Sequence, residues 1–431
     1  MNHTTLRHSF KLGLLPMAVL LAAAGPAMAT NGYFAHGYGL KAKGMGGASQ
    51  AMSQDAFGGA NNPASMVFAG SRLDLGVDLF MPKRDAERTG TGSPLDGKVE
   101  SDKTSFYVPE LGYNRMLGAD QSIGLTVYGN GGLNTDYPQG SFNCGSPTGN
   151  NILCGSGRLG VDMMQLMFAP TYALKLNESH ALGASLLVGY QRFKAEGLQA
   201  FDNAQQSEAP GSVTNNGYDS STGVGMRLGW QGRLGSVVTL GASYSTRLHM
   251  GKFDKYKGLF AEQGSFDIPS NFGLGIGVTP MSGLTIALDV NRINYSEVAS
   301  VGNAGAVPAQ LGSANGPGFG WHDINVVKLG VQWQATNALA VRAGYNKGQN
   351  PIASSDVTFN ILAPGVMTTH YTMGWTWAVS PTSEFSGAYM VAPRSSVSGA
   401  SLLGNFPGFP PSTETIGMKQ SSFGLAWAWK Y

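Results

Sequence analysis

The two cysteines, Cys144 and Cys154, are the residues with the most obvious capacity for chemistry. In an oxidising compartment they are expected to pair and close a small loop, a link that stabilises by roughly 3 kcal/mol. A metal or redox site is the alternative. No histidine lies near them in the sequence and they do not form a C-x-x-C motif, so the pattern favours a disulfide.

No set of residues predicts catalysis or cofactor binding. The chain has no evident Ser-His-acid set and no cluster of metal-ligating side chains. The run GLGIG at 273–277 imitates part of a dinucleotide-binding loop, but it lies within an alternating strand pattern and no helix follows it. His370 is expected to form hydrogen bonds inside the protein. We therefore predict no enzyme, no cofactor and no metal.

Charged residues occur singly within otherwise apolar segments. Apolar and polar residues alternate in these segments, and the following charged residues fall on the side expected to face the protein interior: Arg72, Asp74, Asp78, Arg192, Arg227, Asp289, Lys328 and Arg342. An unpaired charge in an enclosed interior is costly, so we expect ion pairs among them or with the N-terminal residues. Arg192, Lys328 and Arg342 are the candidates to contact a carboxylate on a ligand.

A loop at 253–266 combines apolar residues with flanking lysines. Tyr256, Leu259 and Phe260 would form an apolar patch, which is costly on an exposed loop unless it binds something. The lysines around it would suit a carboxylate head group, and residues 311–321 would extend the apolar surface. The alternative is a loop that packs against itself.

These residues are carried by strands with an apolar residue at every second position. Fourteen such segments of about 10–14 residues follow one another from Ser71 to the end of the chain. In the first segment the apolar residues are Leu73, Leu75, Val77, Leu79 and Met81, and the charged residues between them are Arg72, Asp74 and Asp78. Such alternation separates a lipid-facing side from a wet interior.

Short and long connections alternate between these segments. The short ones lie around residues 117–121, 177–179, 232–235, 279–282, 335–338 and 381–383. The long ones lie around residues 84–103, 133–161, 194–218, 251–265, 296–322, 347–366 and 393–415. This is the rule of outer-membrane barrels, with short periplasmic turns and long external loops. We predict an all-β, 14-stranded antiparallel transmembrane barrel at 70–431; a soluble all-β fold is the alternative.

The composition and the N-terminus agree with export. Charged residues make up 13% of the chain, against about 25% in ordinary soluble proteins. Residues 1–29 have a basic start, a short apolar run and an Ala27-Met28-Ala29 cleavage site, which predicts a cleaved signal peptide, with a membrane anchor as the alternative. Beyond it, 26 basic residues balance 26 acidic residues, so nucleic-acid binding is not predicted.

The residues at 30–69 do not alternate. This stretch is rich in Gly and Ala and ends near Asn62-Pro63-Ala64, and it precedes the first strand. We predict that it forms a hatch inside the barrel. The hatch residues expected to matter are Thr30, Asn31, Gly32, Tyr33, Phe34, Asn62, Pro63 and Ala64.

The third strand meets a glycine cluster at Gly129, Asn130, Gly131 and Gly132. Glycines weaken a strand ladder and permit bulges or kinks. We predict a kink in this strand; the alternative is that the strand simply ends there.

Six stretches taken together resemble the FadL/TodX-type outer-membrane transporters of long-chain fatty acids and hydrocarbons. They are NGYF at 31–34, KGMGGA at 43–48, NPA at 62–64, YKGLF at 256–260 before Pro269, GPGFGW at 316–321, and PG at 364–365 before His370 and Tyr371. They span nearly all of the chain beyond the signal peptide, in order. The family fold is a fourteen-stranded barrel with an N-terminal hatch.

The resemblance implies a monomer in the outer membrane of a Gram-negative bacterium, with a hydrophobic small molecule and membrane lipid as its partners. Substrate would be caught in a groove between external loops and pass to a pocket against the N-terminus. Movement of the hatch would let it leave sideways at the strand 3 kink. An outer-membrane receptor or adhesin is the alternative, followed by a general porin and a barrel lipid hydrolase.

Overall fold

The computed structural model describes residues 30–140, 142–145 and 149–431. Within these residues, fourteen long strands pair in sequence order and close into an antiparallel barrel, as predicted. Closure is made by the first and last strands, which pair from Arg72 and Lys430 to Thr89 and Thr413. The predicted signal peptide lies outside the described residues.

The barrel strands are numbered β1 to β14 along the chain. Their bounds are β1 Arg72–Thr89, β2 Phe106–Met116, β3 Gln121–Tyr137, β4 Leu159–Lys175, β5 His180–Glu196, β6 Asp219–Leu234, β7 Val238–Ser245, β8 Asn271–Met281, β9 Leu284–Ile293, β10 Ile324–Gln334, β11 Leu339–Gly348, β12 Thr369–Ser380, β13 Ser383–Ala400 and β14 Thr413–Lys430. Two short strands lie in external loops: Gly97–Glu100 pairs with β1, and His249–Met250 pairs with β6.

The helices are all short. Five helices of four residues each occur in the described part of the chain: α1 Leu40–Lys43, α2 Met66–Ala69, α3 Ala261–Gly264, α4 Ala299–Gly302 and α5 Val357–Asn360. Single 3₁₀ turns lie at Pro63–Ser65, Gln199–Phe201, Asp254–Tyr256, Tyr295–Glu297, Ser354–Asp356 and Leu402–Asn405. No helix among the described residues has the length and hydrophobicity to cross a membrane.

The two faces of the wall differ in polarity. Outward side chains such as Leu288 and Met373 are large, apolar and exposed, whereas their inward neighbours Asp289 and Thr372 are buried. The apolar outer face suits lipid, and the polar inner face has to be satisfied inside the barrel. Cys144 and Cys154, in the loop between β3 and β4, are joined by a disulfide.

Several strands continue further outward than the sequence predicts. β1 runs to Thr89, and β13 and β14 reach Ala400 and Thr413, inside the predicted loops around 84–103 and 393–415. These extensions lack the apolar outer face that marks a strand in lipid. The ladder nevertheless continues, because backbone pairing does not require apolar side chains once the strand leaves the membrane.

Residues 30–69, called here the N-terminal segment, cross the barrel interior. The Gly46 N–H donates to Thr372 Oγ1 on β12 at 2.8 Å, and the Ser49 N–H donates to Asp289 Oδ2 on β9 at 2.7 Å. The Asn62 amide donates to the Trp230 carbonyl on β6 at 2.9 Å. Contacts with strands on different sides of the barrel place this segment within the lumen.

Candidate functional site

An apolar groove lies among the external loops. It has a volume of about 360 Å³, and we call it the outer groove. Its apolar lining residues are Phe201, Val307, Pro308, Leu311, Pro317, Phe359, Leu402 and Phe406. Phe201 contacts two other aromatic residues of this lining, with its ring 5.5 Å from that of Phe359 and 6.4 Å from that of Phe406.

A smaller apolar pocket adjoins the outer groove. The two share Leu311, Pro317 and Phe359, and the pocket, of about 30 Å³, is also lined by Leu259 and Phe260. Its other apolar lining residues are Val161, Phe193, Phe319 and Leu362. The loop at 253–266 and residues 311–321 therefore meet, as expected for a shared apolar surface.

Tyr256, unlike Leu259 and Phe260, does not line the pocket, and its side chain is fully buried. Its hydroxyl donates to the Gly217 carbonyl at 2.5 Å and accepts from the Ala195 N–H at 3.1 Å. Its ring meets that of Phe193 edge-on. The expectation that Tyr256 offers an exposed contact is wrong: its ring and hydroxyl hold the loop to β5 and to the residues just before β6.

The N-terminal tip, residues 30–35, ends in an aromatic cluster. The ring of Tyr33 lies 5.2 Å from that of Tyr295, 5.8 Å from that of Trp321 and 6.0 Å from that of Phe266. The Tyr295 hydroxyl donates to the Asn31 carbonyl at 2.5 Å and accepts from the Tyr33 N–H at 3.2 Å. One hydroxyl from an external loop thus fixes the turn of the tip.

The glycine cluster of β3 lies where the tip meets the wall. The ladder between β3 and β4 shifts register between Gly129 and Gly131, so Asn130 forms a bulge. The Ala35 N–H donates to the Asn130 carbonyl, and the Gly132 N–H donates to the Tyr33 carbonyl. β3 continues to Tyr137, so the cluster is an irregularity within the strand and not its end.

The wall is incomplete beside this bulge. β2 and β3 pair only from Met116 and Ser122 to Leu111 and Val127, although both strands run further. Two residues beyond Leu111, Pro109 has no N–H to offer a neighbouring strand. Above Val127 the edge of β3 therefore contacts the N-terminal tip and not β2.

A polar cavity of about 50 Å³ separates the N-terminal segment from β6 to β10. Phe34 and Tyr38 line it from the segment, and Arg227 and Lys328 line it from the wall. Arg227 is held by Ser245 Oγ and the Gly59 carbonyl, at 2.6 and 2.8 Å. Lys328 is the predicted ligand-contact residue that reaches this cavity.

Three of the predicted interior charges form ion pairs. Arg72 pairs with Asp74 at 2.7 Å and with Glu384 on β13 at 2.5 Å. Asp78 pairs with Lys43 of the N-terminal segment at 3.0 Å. These contacts agree with the expectation that the wall charges are neutralised by one another or by the segment.

Three of the remaining interior charges, Arg227, Asp289 and Arg342, are held by hydrogen bonds with neutral groups. Asp289 accepts the N–H groups of Ser49 and Gln50, and Arg342 donates to Gln332 Oε1 and Thr376 Oγ1, both at 2.8 Å. We expected every interior charge to form an ion pair. Hydrogen bonds from backbone, hydroxyl and amide groups also satisfy a buried charge, so not every charge needs an ionic partner.

Arg192 faces outward, so its placement in the lumen was wrong. Its neighbours Gln191 and Phe193 are the buried, inward residues of β5, and Arg192 lies over the ring of Tyr218 at 4.2 Å. A one-residue error in register moves a side chain to the opposite face of a strand. Arg192 therefore cannot contact a ligand in the lumen.

His370 lies inside the barrel, as predicted. Its Nδ1 is 3.1 Å from Asn346 Oδ1, and its ring stacks on that of His36 at 5.8 Å. Within the described residues there is no group of three or more His, Cys, Asp or Glu side chains that could hold a metal ion.

A closed barrel with an apolar outer face and a segment across its lumen defines an outer-membrane barrel protein. A family model described as "Outer membrane protein transport protein (OMPP1/FadL/TodX)" matches residues 20–401. The chain belongs to this family, and it is an outer-membrane transport protein of a Gram-negative bacterium. The family consists of transport proteins, in agreement with the prediction that the chain is not an enzyme. A search of curated proteins finds no match.

Solved structures share the fold at low sequence identity. The toluene transporter TodX of Pseudomonas putida matches with a TM-score of 0.68 and 18% identity, over 93% of this chain and 100% of its own. The toluene transporter TbuX of Ralstonia pickettii matches at 0.65 and 17%, over 92% and 99%. A FadL homologue of Pseudomonas aeruginosa matches at 0.68 and 14%, over 93% and 99%.

Several groove residues are not evident from the sequence. Phe201, Phe359 and Phe406 come from three loops that are far apart along the chain and meet only in the fold. The signal that was available is the density of aromatic residues in glycine- and proline-rich loops, such as NFPGFPP at 405–411. An exposed loop gains little from such residues unless they pack together or bind a ligand.

Proposed function

We propose that the protein mediates passive uptake of hydrophobic molecules across the outer membrane. The observation that carries this proposal is the apolar route from the outer groove to the N-terminal tip. It runs through the adjoining pocket to Phe319, whose ring lies 6.2 Å from that of Trp321, which in turn contacts Tyr33. Apolar molecules leave water for such a surface without an energy source.

In this proposal the N-terminal segment, residues 30–69, is the hatch. Asn62 is fully buried and anchors it: its amide donates to the Gln50 and Trp230 carbonyls, and its Oδ1 accepts from the Ala64 N–H. Pro63 fixes the turn that follows. The tip meets the apolar route at Tyr33 and Trp321, so in this proposal the tip is the part that moves when substrate arrives.

Release is proposed to be lateral, at the β3 bulge. Between Leu111 and the top of β2 no ladder joins this strand to β3, and the tip residues Tyr33 to Ala35 bond to β3 instead. Withdrawal of the tip would open the wall toward lipid. A hydrophobic molecule would then enter the membrane without crossing the periplasmic side of the segment.

Two substrate classes fit this route, namely long-chain fatty acids and hydrocarbons. Arg227 and Lys328 at the polar cavity beneath the tip would suit a carboxylate. TodX and TbuX, which share the fold, are named as toluene transporters. A carboxylate substrate should depend on Lys328, whereas a hydrocarbon should not.

The test is uptake of labelled oleate and labelled toluene by cells that lack their own transporter and express this chain. We expect at least one substrate to enter several-fold faster than in empty cells. Asn62→Ala combined with Pro63→Ala should abolish the gain at equal surface expression. Lys328→Gln should lower oleate uptake and leave toluene uptake unchanged.

Thr336→Ala in the turn between β10 and β11 serves as the control for expression and folding. If neither substrate enters faster than in empty cells, the transport proposal fails and the receptor or adhesin alternative gains weight. If uptake is intact in the Asn62 and Pro63 double variant, the segment does not act as the hatch.

A further inference from the structure

Two lysines face each other on the outer wall where β1 meets β14. Lys83 and Lys419 are direct cross-strand partners, and both side chains are exposed on the outward face. Neither ammonium has a hydrogen bond or an ion pair within the described residues. Like charges directly opposite each other destabilise a strand pair, so this arrangement calls for an anion between them.

One carboxylate near the lysines along β1 is already occupied. Asp85, two residues beyond Lys83, accepts from Arg394 Nη2 at 2.8 Å, and Lys98 lies 3.7 Å from it. Arg394 reaches Asp85 across Gly417 of β14, where a Cβ would lie only 2.3 Å from the guanidinium. Glycine at this position lets Arg394 lie flat on the wall, so Asp85 is neutralised and the two lysines stay without a counter-charge.

The lysines lie just above the lipid-facing band. Tyr107, Tyr389 and Phe423 form a row of exposed aromatic side chains, because Leu79 pairs with Tyr107 and Phe423, and Phe423 pairs with Tyr389. Aromatic rows mark the membrane interface. Lys419 precedes Phe423 by four residues. For a strand tilted as in such barrels, Lys419 therefore lies about 10 Å above Phe423.

We propose that this surface binds the phosphate of an outer-leaflet glycolipid. The phosphate lies between the Lys83 and Lys419 ammonium groups, with Arg394 beside it. The acyl chains run down the exposed apolar stripe that includes Val391 and Val77. A phosphate oxygen accepts from each ammonium, which removes the repulsion between them and fixes the lipid at one position on the wall.

The experiment uses the full chain in non-ionic detergent, with lipid binding followed by native mass spectrometry. The probes are bisphosphorylated lipid A and the same lipid with both phosphates removed. We expect the wild type to bind the phosphorylated lipid about ten-fold more tightly. Lys83→Gln with Lys419→Gln should abolish this preference, and Lys83→Arg with Lys419→Arg should keep it.

Lys347→Gln is the matched control, since Lys347 is an exposed, outward lysine on β11. It should leave the preference unchanged, and heat-modifiable migration on gels should verify folding of every variant. The proposal is overturned if the dephosphorylated lipid binds equally well or if the double Gln variant keeps the preference. If inorganic phosphate alone binds wild type as tightly as the phosphorylated lipid does, the site takes a free anion and the lipid assignment is overturned.

Discussion

At the residue scale, the position of the N-terminal tip depends on a single hydroxyl. Tyr295 comes from the loop between β9 and β10, and it both donates to Asn31 and accepts from Tyr33. Burial raises the pKa of Tyr295 well above its usual value, so the hydroxyl remains protonated at any physiological pH. The loop that borders the apolar route is therefore connected directly to the residues proposed to move.

Tyr295→Phe removes both hydrogen bonds and keeps the ring in the aromatic cluster. We expect the tip to be held less tightly by about 1 to 2 kcal/mol, because the Asn31 carbonyl and the Tyr33 N–H each lose a hydrogen bond with this hydroxyl. Substrate uptake or ion current through the barrel should increase. Single-channel recording in planar bilayers would measure the current.

Tyr371→Phe is the control for that variant, since Tyr371 is half exposed on the lipid-facing side of β12. It removes the same atom from the outer face of the wall and should leave the current at the wild-type level. An unchanged current in Tyr295→Phe would mean that the tip is held by ring packing and not by the hydroxyl.

At the scale of elements, the N-terminal tip bonds to β3 along the part of that strand that β2 leaves unpaired. The β3 bulge at Asn130 turns two backbone groups, the Asn130 carbonyl and the Gly132 N–H, toward residues Tyr33 and Ala35. A Cβ on Gly131 would lie 1.8 Å from the Tyr33 carbonyl oxygen, so this close approach requires glycine.

Gly131→Ala should therefore displace the tip from β3. The tip would lose two backbone hydrogen bonds, together about 2 kcal/mol, or roughly thirty-fold in the ratio of docked to undocked states. We expect increased cleavage of the tip by added protease and faster uptake. Gly118→Ala, in the open turn between β2 and β3, has space for a Cβ and should behave as the wild type. Equal cleavage of the two variants would contradict this account.

The strands were predictable because their signal is local. Alternation with period two, and the alternation of short and long connections, depend only on each strand facing lipid on one side. The face of Arg192 was not predictable in this way. Above the membrane both faces of β5 carry polar residues, so the alternation no longer distinguishes the inward face from the outward face. Three aromatic residues of the outer groove, Phe201, Phe359 and Phe406, were missed for a different reason: they come from loops whose meeting depends on the whole barrel.

At the scale of the whole molecule, buried ion pairs join the N-terminal segment to the barrel wall. Lys43 is one such link: its ammonium lies 3.0 Å from Asp78 on β1 and 3.3 Å from Glu110 on β2. Both strands border the side of the barrel where β2 separates from β3. The same ion-pair cluster therefore anchors the segment and supports the wall beside the proposed exit.

Lys43→Met would leave Asp78 and Glu110 buried side by side without a cation. Removing one partner of such a cluster costs about 3 to 5 kcal/mol, because the remaining charges are uncompensated. We expect the segment to leave its position and the barrel to conduct ions steadily. In the triple variant with Asp78→Asn and Glu110→Gln as well, no charge is left unpaired, so the closed state should largely return. A triple variant as conductive as Lys43→Met would show that the ammonium acts through packing, whereas a closed Lys43→Met barrel would show that the segment is held elsewhere.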